Sequence, residues 1–232
     1  MSAVAASPLD NIFWETMVGP QAPLSTGVAD ARRYAPGFSP IIGFADPRRP
    51  NLEGLAPFCT PGERFYCDGW DGPAPAGWEI VLEKTMSRMV MQPGIAFADD
   101  APEARPLGPA DAAQALELAI LTNPGPFGLR TIELGEYFGF FEDGRLVAMA
   151  GERMHAGRYR EVSGICTHPD RQGRGHAGRL TAKVLQRQLA RGQVPFLHVM
   201  SANTGARALY EKMGFRLYRE TVVRVIARTA TD

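Results

Sequence analysis

The sequence predicts an α/β protein, a mixed central sheet with flanking helices. Three observations carry this. Beyond Pro106, apolar patterns alternate in the order helix, hairpin, strand, helix, strand, helix, strand. Asp143-Gly144 between two apolar runs is a strong hairpin signal. The chain has 232 residues with 45% apolar residues, enough to bury a sizeable core as one large domain or two small ones.

Residues 1–103 are rich in proline and glycine. Short apolar runs at 41–44, 64–67 and 78–82 read as short strands, so this half is a smaller α/β region, and it carries no chemical motif. In residues 104–232 the pattern sharpens. Asp111 can cap a helix over 112–121, which Asn123-Pro124-Gly125-Pro126 breaks. Residues 137–141 and 146–150 are the hairpin strands, and 159–167 is a further strand leading into a glycine-rich stretch. The next helix places Ala177, Leu180, Val184, Leu185 and Leu189 on one face and ends at Gly192. A strand over 195–200 follows. Asn203 then opens a helix with Ala206, Leu209, Tyr210 and Met213 on one face, terminated by Gly214. Residues 215–227 supply a final strand or pair.

Charge balance narrows the partners. Lysine plus arginine equals aspartate plus glutamate at 25 each, which argues against a nucleic-acid or anionic-membrane surface. Cys59, Cys67 and Cys166 are odd in number and lack C-x-x-C spacing, which fits a reduced compartment. The four histidines stand at no zinc-ligand spacing, so no metal is expected. Residues 1–15 lack the basic and apolar regions of a secretory signal, and no apolar run reaches the roughly 18 residues of a membrane span. A cytoplasmic location is expected.

The stretch Gly173-Arg174-Gly175-His176-Ala177-Gly178 reads literally as G-x-G-x-x-G. A dinucleotide fingerprint also needs an acidic residue about 20 positions on, and residues 180–210 contain none. A P-loop fails because no Gly-Lys-Ser/Thr follows. The anion-binding logic survives both exclusions. A glycine turn entering a helix offers backbone N–H donors and the positive end of the helix dipole to a diphosphate. Arg171, Arg174 and Arg179 could add charge. The bland alternative is an ordinary turn with a solvated basic face, and spacing alone leaves the two even.

Gln172, Gly175 and Ala177 fit the Q/R-x-x-G-x-G/A motif, and the sequence here resembles the GNAT superfamily of N-acetyltransferases. His168-Pro169 before the loop, and Asn203, Ala206, Tyr210, Gly214 and Phe215 after it, are similar to the family's flanking positions in order and separation. The resemblance covers residues 104–227. It implies a GNAT fold, with residues 1–103 either a degenerate copy of that fold or a substrate-covering extension. It implies acetyl-CoA as cosubstrate and direct attack in a ternary complex by a primary amine of a small molecule or peptide. The alternative is a non-catalytic CoA-binding regulatory module. A monomer or homodimer is expected.

Site residues follow from the same resemblance. The backbone of Gln172, Gly173, Arg174, Gly175, His176, Ala177 and Gly178 would hold the diphosphate. Ile165, Cys166 and Thr167, on a splayed strand, would align the pantetheine arm. Tyr210 is the general acid, or else a core aromatic. Asn203 caps its helix, contacts the cofactor, or both. Glu161 resembles a general base in placement, and period-2 alternation puts it on the face of Ser163, Ile165 and Thr167. Its alternatives are a solvated carboxylate paired with Arg158 or Arg160, or a water chain acting as the base. Glu133, Glu136 and Glu152 are weaker candidates. Residues 123–130 are the expected acceptor loop.

Overall fold

The computed structural model describes residues 7–229. The expectation about residues 1–15 therefore falls partly on residues 1–6, outside the described residues. In chain order the main elements are α1 (Ile12–Val18), β1 (Ser25–Gly27), β2 (Ala31–Tyr34), β3 (Ile42–Phe44), α2 (Leu52–Leu55), β4 (Arg64–Asp68), β5 (Trp78–Met91), β6 (Arg105–Pro106), α3 (Ala112–Thr122), β7 (Tyr137–Glu142), β8 (Arg145–Ala156), β9 (Tyr159–Thr167), α4 (His176–Ala190), β10 (Val194–Met200), α5 (Thr204–Lys212) and β11 (Phe215–Arg228).

Eight strands form one sheet in the order β4-β11-β5-β10-β9-β8-β7-β6, and β1–β3 form a separate small sheet. β9 and β10 pair in parallel and the other pairs of the large sheet are antiparallel, so the sheet is mixed as expected. On one face, Leu180, Val184 and Leu185 of α4 and Tyr210 of α5 pack on Phe138, Phe140, Val162 and Leu197. Each fully buried aliphatic there contributes about 1.5–3 kcal/mol. On the other face, Ile12, Phe13 and Met17 of α1 meet Met86, Met154, Phe196 and Val223. α3 covers Tyr137, Met149 and Cys166.

The hairpin turn has the geometry that its Asp-Gly pair favours, with φ of 49° at Asp143 and 77° at Gly144. Asp111 does not cap α3. Its carboxylate accepts from the Gly108 backbone N–H at 2.9 Å and pairs with Arg105 at 2.8 Å, closing the turn before the helix.

The short strand expected at 78–82 runs on to Met91 and lies between β10 and β11. Charged Glu83, Lys84 and Arg88 conceal it in the sequence. Arg88 is nevertheless only 1% exposed. It is satisfied by Asp68, the Leu9 carbonyl and Nε2 of His198. The sheet thus takes strands from both sides of the expected 103/104 boundary. Residues 7–103 build no glycine-loop fold of their own. They add β4 and β5 to the common sheet and lay α1 and β1–β3 against it.

β9 also departs from simple alternation. Met149 faces Cys166 and Gly151 faces Ser163, so Ala150 alone opposes both Gly164 and Ile165. This bulge, with Gly164 at φ 62°, reverses the face of every later residue. Cys166 joins the α3 side while Val162 and Ile165 pack toward α4. The expected common face of Glu161, Ser163, Ile165 and Thr167 therefore does not form: Cys166, not Ile165, follows Ser163.

Candidate active site

β9 and β10 pair only at Tyr159–Val194, Arg160–Pro195 and Glu161–Phe196. They then part, β9 continuing along β8 and β10 along β5. Around the opening lie two cavities. A groove of about 730 Å³ is lined by Ile165, Cys166 and Thr167 of β9, the loop from Arg171 into α4, and Asn203 and Tyr210. A second cavity of about 420 Å³ is lined by Phe13, Lys84, Met86, Arg153 and His198 among others. Asn123, Pro124, Ile165, Asn203, Ala206 and Tyr210 line both, so the two meet there.

The groove's loop is built for exposed backbone. Gly173 and Gly175 have φ of 76° and 77°, a region that side chains enter at a cost. A Cβ at Gly173, Gly175 or Gly178 would meet nothing within 4 Å, so the concavity beside them is open. The fifteen-residue α4 begins directly behind, at His176. His176 leans on Phe140 with ring centroids 4.9 Å apart, and both its ring nitrogens are buried without a partner. Thr167 Oγ1 is likewise buried and unpartnered.

Of the residues expected here, Gln172, Gly173, Gly175, His176, Ala177, Gly178, Ile165, Cys166, Thr167 and Asn203 line the groove. Arg174 does not. Its side chain turns to Glu142 at 3.3 Å, and Arg171 pairs with the same carboxylate. Arg179 is held by Glu103. The basic cluster read from the sequence is thus largely neutralised by local acids, and the backbone is the groove's main donor set. Asn203 caps α5, accepting from the Ala206 N–H at 3.1 Å. Burial pushes the Cys166 thiol up to about 11, so it stays protonated near neutral pH.

Tyr210 stands at the junction. It is 8% exposed, packs edge-on to Phe215, and is, among the described residues, the only titratable side chain lining both cavities. Burial raises its phenol to about 12. At neutral pH it therefore holds a proton that it can donate.

Glu161 is placed differently from the expectation. It is fully buried and lines neither cavity. Oε1 accepts from Arg153 at 2.7 Å and faces His198 Nδ1 at 2.8 Å. Oε2 accepts from Arg153 Nε at 3.0 Å and the Met154 N–H at 3.2 Å. Burial opposes its ionisation, but Arg153 and the hydrogen bonds outweigh it and hold the carboxyl at about 2. A carboxylate so stabilised is a poor proton acceptor. Neither Arg158 nor Arg160 is its partner, since Arg160 binds Glu152. Glu133 pairs with Arg130, Glu136 with Arg187 and Arg191, and Glu152 also with Arg191. None of these acids lines either cavity.

His198 accepts from Arg88 Nε through Nε2 at 2.9 Å, which leaves its proton on Nδ1, toward Glu161. Burial lowers its pKa, and both nitrogens are engaged. Sequence reading missed Lys84, Arg153 and His198 because they stand inside strands, without a motif, and converge only through sheet order. Among the described residues no helix is long and apolar enough to cross a membrane, and no acid, histidine and cysteine cluster could hold a metal.

Comparison with known proteins agrees with this geometry. Residues 137–225 match the family of FR47-like proteins. No curated protein matches the chain. A GNAT-family protein of known structure from Novosphingobium aromaticivorans is 33% identical over 97% of this chain and 100% of its own, with a TM-score of 0.86. A GCN5-related N-acetyltransferase from Kribbella flavida shares the fold at 16% identity and a TM-score of 0.60, covering 93% of this chain and 94% of its own. One from Streptococcus suis described as N-acetyltransferase-like shares it at 16% and 0.58, covering 92% of each chain. With one relative a third identical along almost its whole length, and a glycine loop opening onto a groove beside parted strands, the chain belongs to the GNAT family of acetyltransferases.

Proposed function

We propose that the protein is an N-acetyltransferase that moves an acetyl group from acetyl-CoA to a primary amine of a small molecule or peptide, with both substrates bound together. The observation that carries this is the meeting of two cavities, one on a glycine loop and one on apolar and cationic residues, at Tyr210.

The groove fits coenzyme A chemically. The backbone of residues 172–178 and the N-terminus of α4 suit a diphosphate. The unpartnered His176 nitrogens and Thr167 Oγ1 are buried donors or acceptors waiting for a ligand. β9 beyond Glu161 has no neighbour on its β10 side, so its edge is free to pair with the amides of a pantetheine arm. The amine nitrogen bonds to the thioester carbonyl carbon and the C–S bond breaks. Tyr210 gives its proton to the departing sulfur and regains one from solvent, while the amine's proton leaves to water.

Among the described residues no aspartate or glutamate lines either cavity, His198 has no free lone pair, and His176 lines only the glycine-loop groove, with both ring nitrogens buried. The acceptor must therefore react as the neutral amine. kcat/KM is expected to rise with pH up to the ammonium pKa of each acceptor, and the inflection should move when the acceptor is changed. An inflection fixed across acceptors would reveal a base on the protein.

The direct test is CoA release across a panel of primary amines, alongside acetyl-CoA binding. Turnover is expected. Tight binding without release on any amine would leave a CoA-binding module instead. Tyr210→Phe should lower kcat by about 10²-fold at unchanged acetyl-CoA affinity. An unaltered rate would return Tyr210 to the core.

A further inference from the structure

The second cavity carries a charge signature that the proposed reaction does not require. Apolar side chains, Phe13, Leu82, Met86, Met200 and Val223, line much of it, beside the polar Tyr66, Asn123 and Asn203. Among the described residues two cations, Lys84 and Arg153, line it and no carboxylate does. Arg153, 8% exposed along its side chain, is fixed in place. Nε and one terminal nitrogen bind Glu161, and the other terminal nitrogen donates to the Pro126 carbonyl at 3.3 Å. Those bonds use three of the five guanidinium N–H groups, leaving two.

Lys84 is different. It is exposed, shares the cavity face of β5 with Leu82 and Met86, and stands directly across from Val223. No hydrogen bond or ion pair holds it among the described residues, whereas Lys183 is tied to Asp99 and most arginines pair with acids. A chamber with much apolar lining, an unpaired ammonium at its wall and no acid among its described lining residues favours an anion and disfavours a second cation.

We infer that the acceptor is an amine carrying both an apolar body and a carboxylate, as in a hydrophobic amino acid, and that Lys84 selects it by binding the carboxylate. This rests on the acetyltransferase reading above. The apolar body fills the chamber between Phe13 and Met86, the carboxylate meets Lys84, and the amine reaches the junction at Tyr210. The volume of about 420 Å³ holds a molecule of that size. Polyamines and lysine-rich peptides bring extra positive charge and meet no carboxylate among the described lining residues.

The test compares matched acceptors by CoA release: L-leucine and L-phenylalanine against L-leucinamide, phenethylamine and spermidine. The carboxylated amines should be preferred at least about tenfold in kcat/KM, the equivalent of about 1.4 kcal/mol. Lys84→Gln should remove about tenfold of that preference through KM, with acetyl-CoA affinity unchanged. Lys84→Glu should invert it, lowering turnover of leucine and raising that of spermidine. Lys84 lies on an exposed strand position, so both variants should fold, as their melting curves would show.

Preference for the amide, for phenethylamine or for spermidine overturns the inference and leaves the acetyltransferase reading standing. So does a carboxylate preference that Lys84→Gln and Lys84→Glu leave untouched, since Lys84 would not then be the selector. No CoA release from any of the five amines, nor from the wider amine panel, overturns the reading and the inference together.

Discussion

If the groove holds acetyl-CoA as proposed, Gly175→Glu is expected to lower its affinity by about 10³-fold or more, read by titration calorimetry. The backbone there has φ of 77° and a Cβ would meet no atom within 4 Å. The new side chain therefore enters the open concavity beside the α4 N-terminus rather than the core. A carboxylate placed against a diphosphate costs several kcal/mol, and about 4 kcal/mol corresponds to 10³-fold. Any non-glycine residue at this φ also strains the backbone by about 1–2 kcal/mol. Gly175→Ala carries that strain without the charge, so it should lose far less affinity at a similar melting temperature. Equal affinities for Gly175→Glu and the unmodified protein would place the diphosphate elsewhere.

Glu161→Gln is expected to destabilise the fold by about 3–5 kcal/mol, because it leaves the Arg153 guanidinium buried without its counter-charge. For a chain of this length the melting temperature should fall by roughly 6–20 °C. The pH dependence has a definite sign. The folded carboxyl lies at about 2, below the ordinary 4.5. Its stabilisation is therefore complete above about pH 4.5 and is lost as the pH falls toward 2. The gap in stability between the two proteins should narrow over that window. An unchanged melting temperature at neutral pH would show that the buried pair contributes nothing. A kcat for Glu161→Gln that tracks only the folded fraction would separate this structural role from that of a base.

The sequence disclosed the groove better than the chamber beside it. Residues 172–178 and Asn203–Tyr210 are local patterns, in which glycine spacing, a cap and a helix face all lie within a few turns of chain. Local physics suffices to read them. The surroundings of Glu161 are not legible in the sequence, for two reasons that no local pattern displays. Its partners, Arg153 and His198, come from neighbouring strands. The bulge at Gly164 also breaks the alternation used to assign faces. Likewise only the first residues of β5 carry a strand pattern. Arg88 looks like a surface residue until Asp68, Leu9 and His198 are assembled around it. Charged side chains buried through long-range pairing are the case in which hydropathy gives the wrong answer.

The position of β5 between β10 and β11 has a consequence for how the chain comes together on the ribosome. Val90 pairs with Phe196 and with Arg216, which emerge 106 and 126 residues later. Until they arrive, a fourteen-residue ribbon stands with both backbone rims bare, the configuration most prone to sticking to another nascent copy. Its charged residues, Glu83, Lys84 and Arg88, would discourage such pairing during the wait. The polar character that hid this strand from a hydropathy reading would then serve as its protection during synthesis.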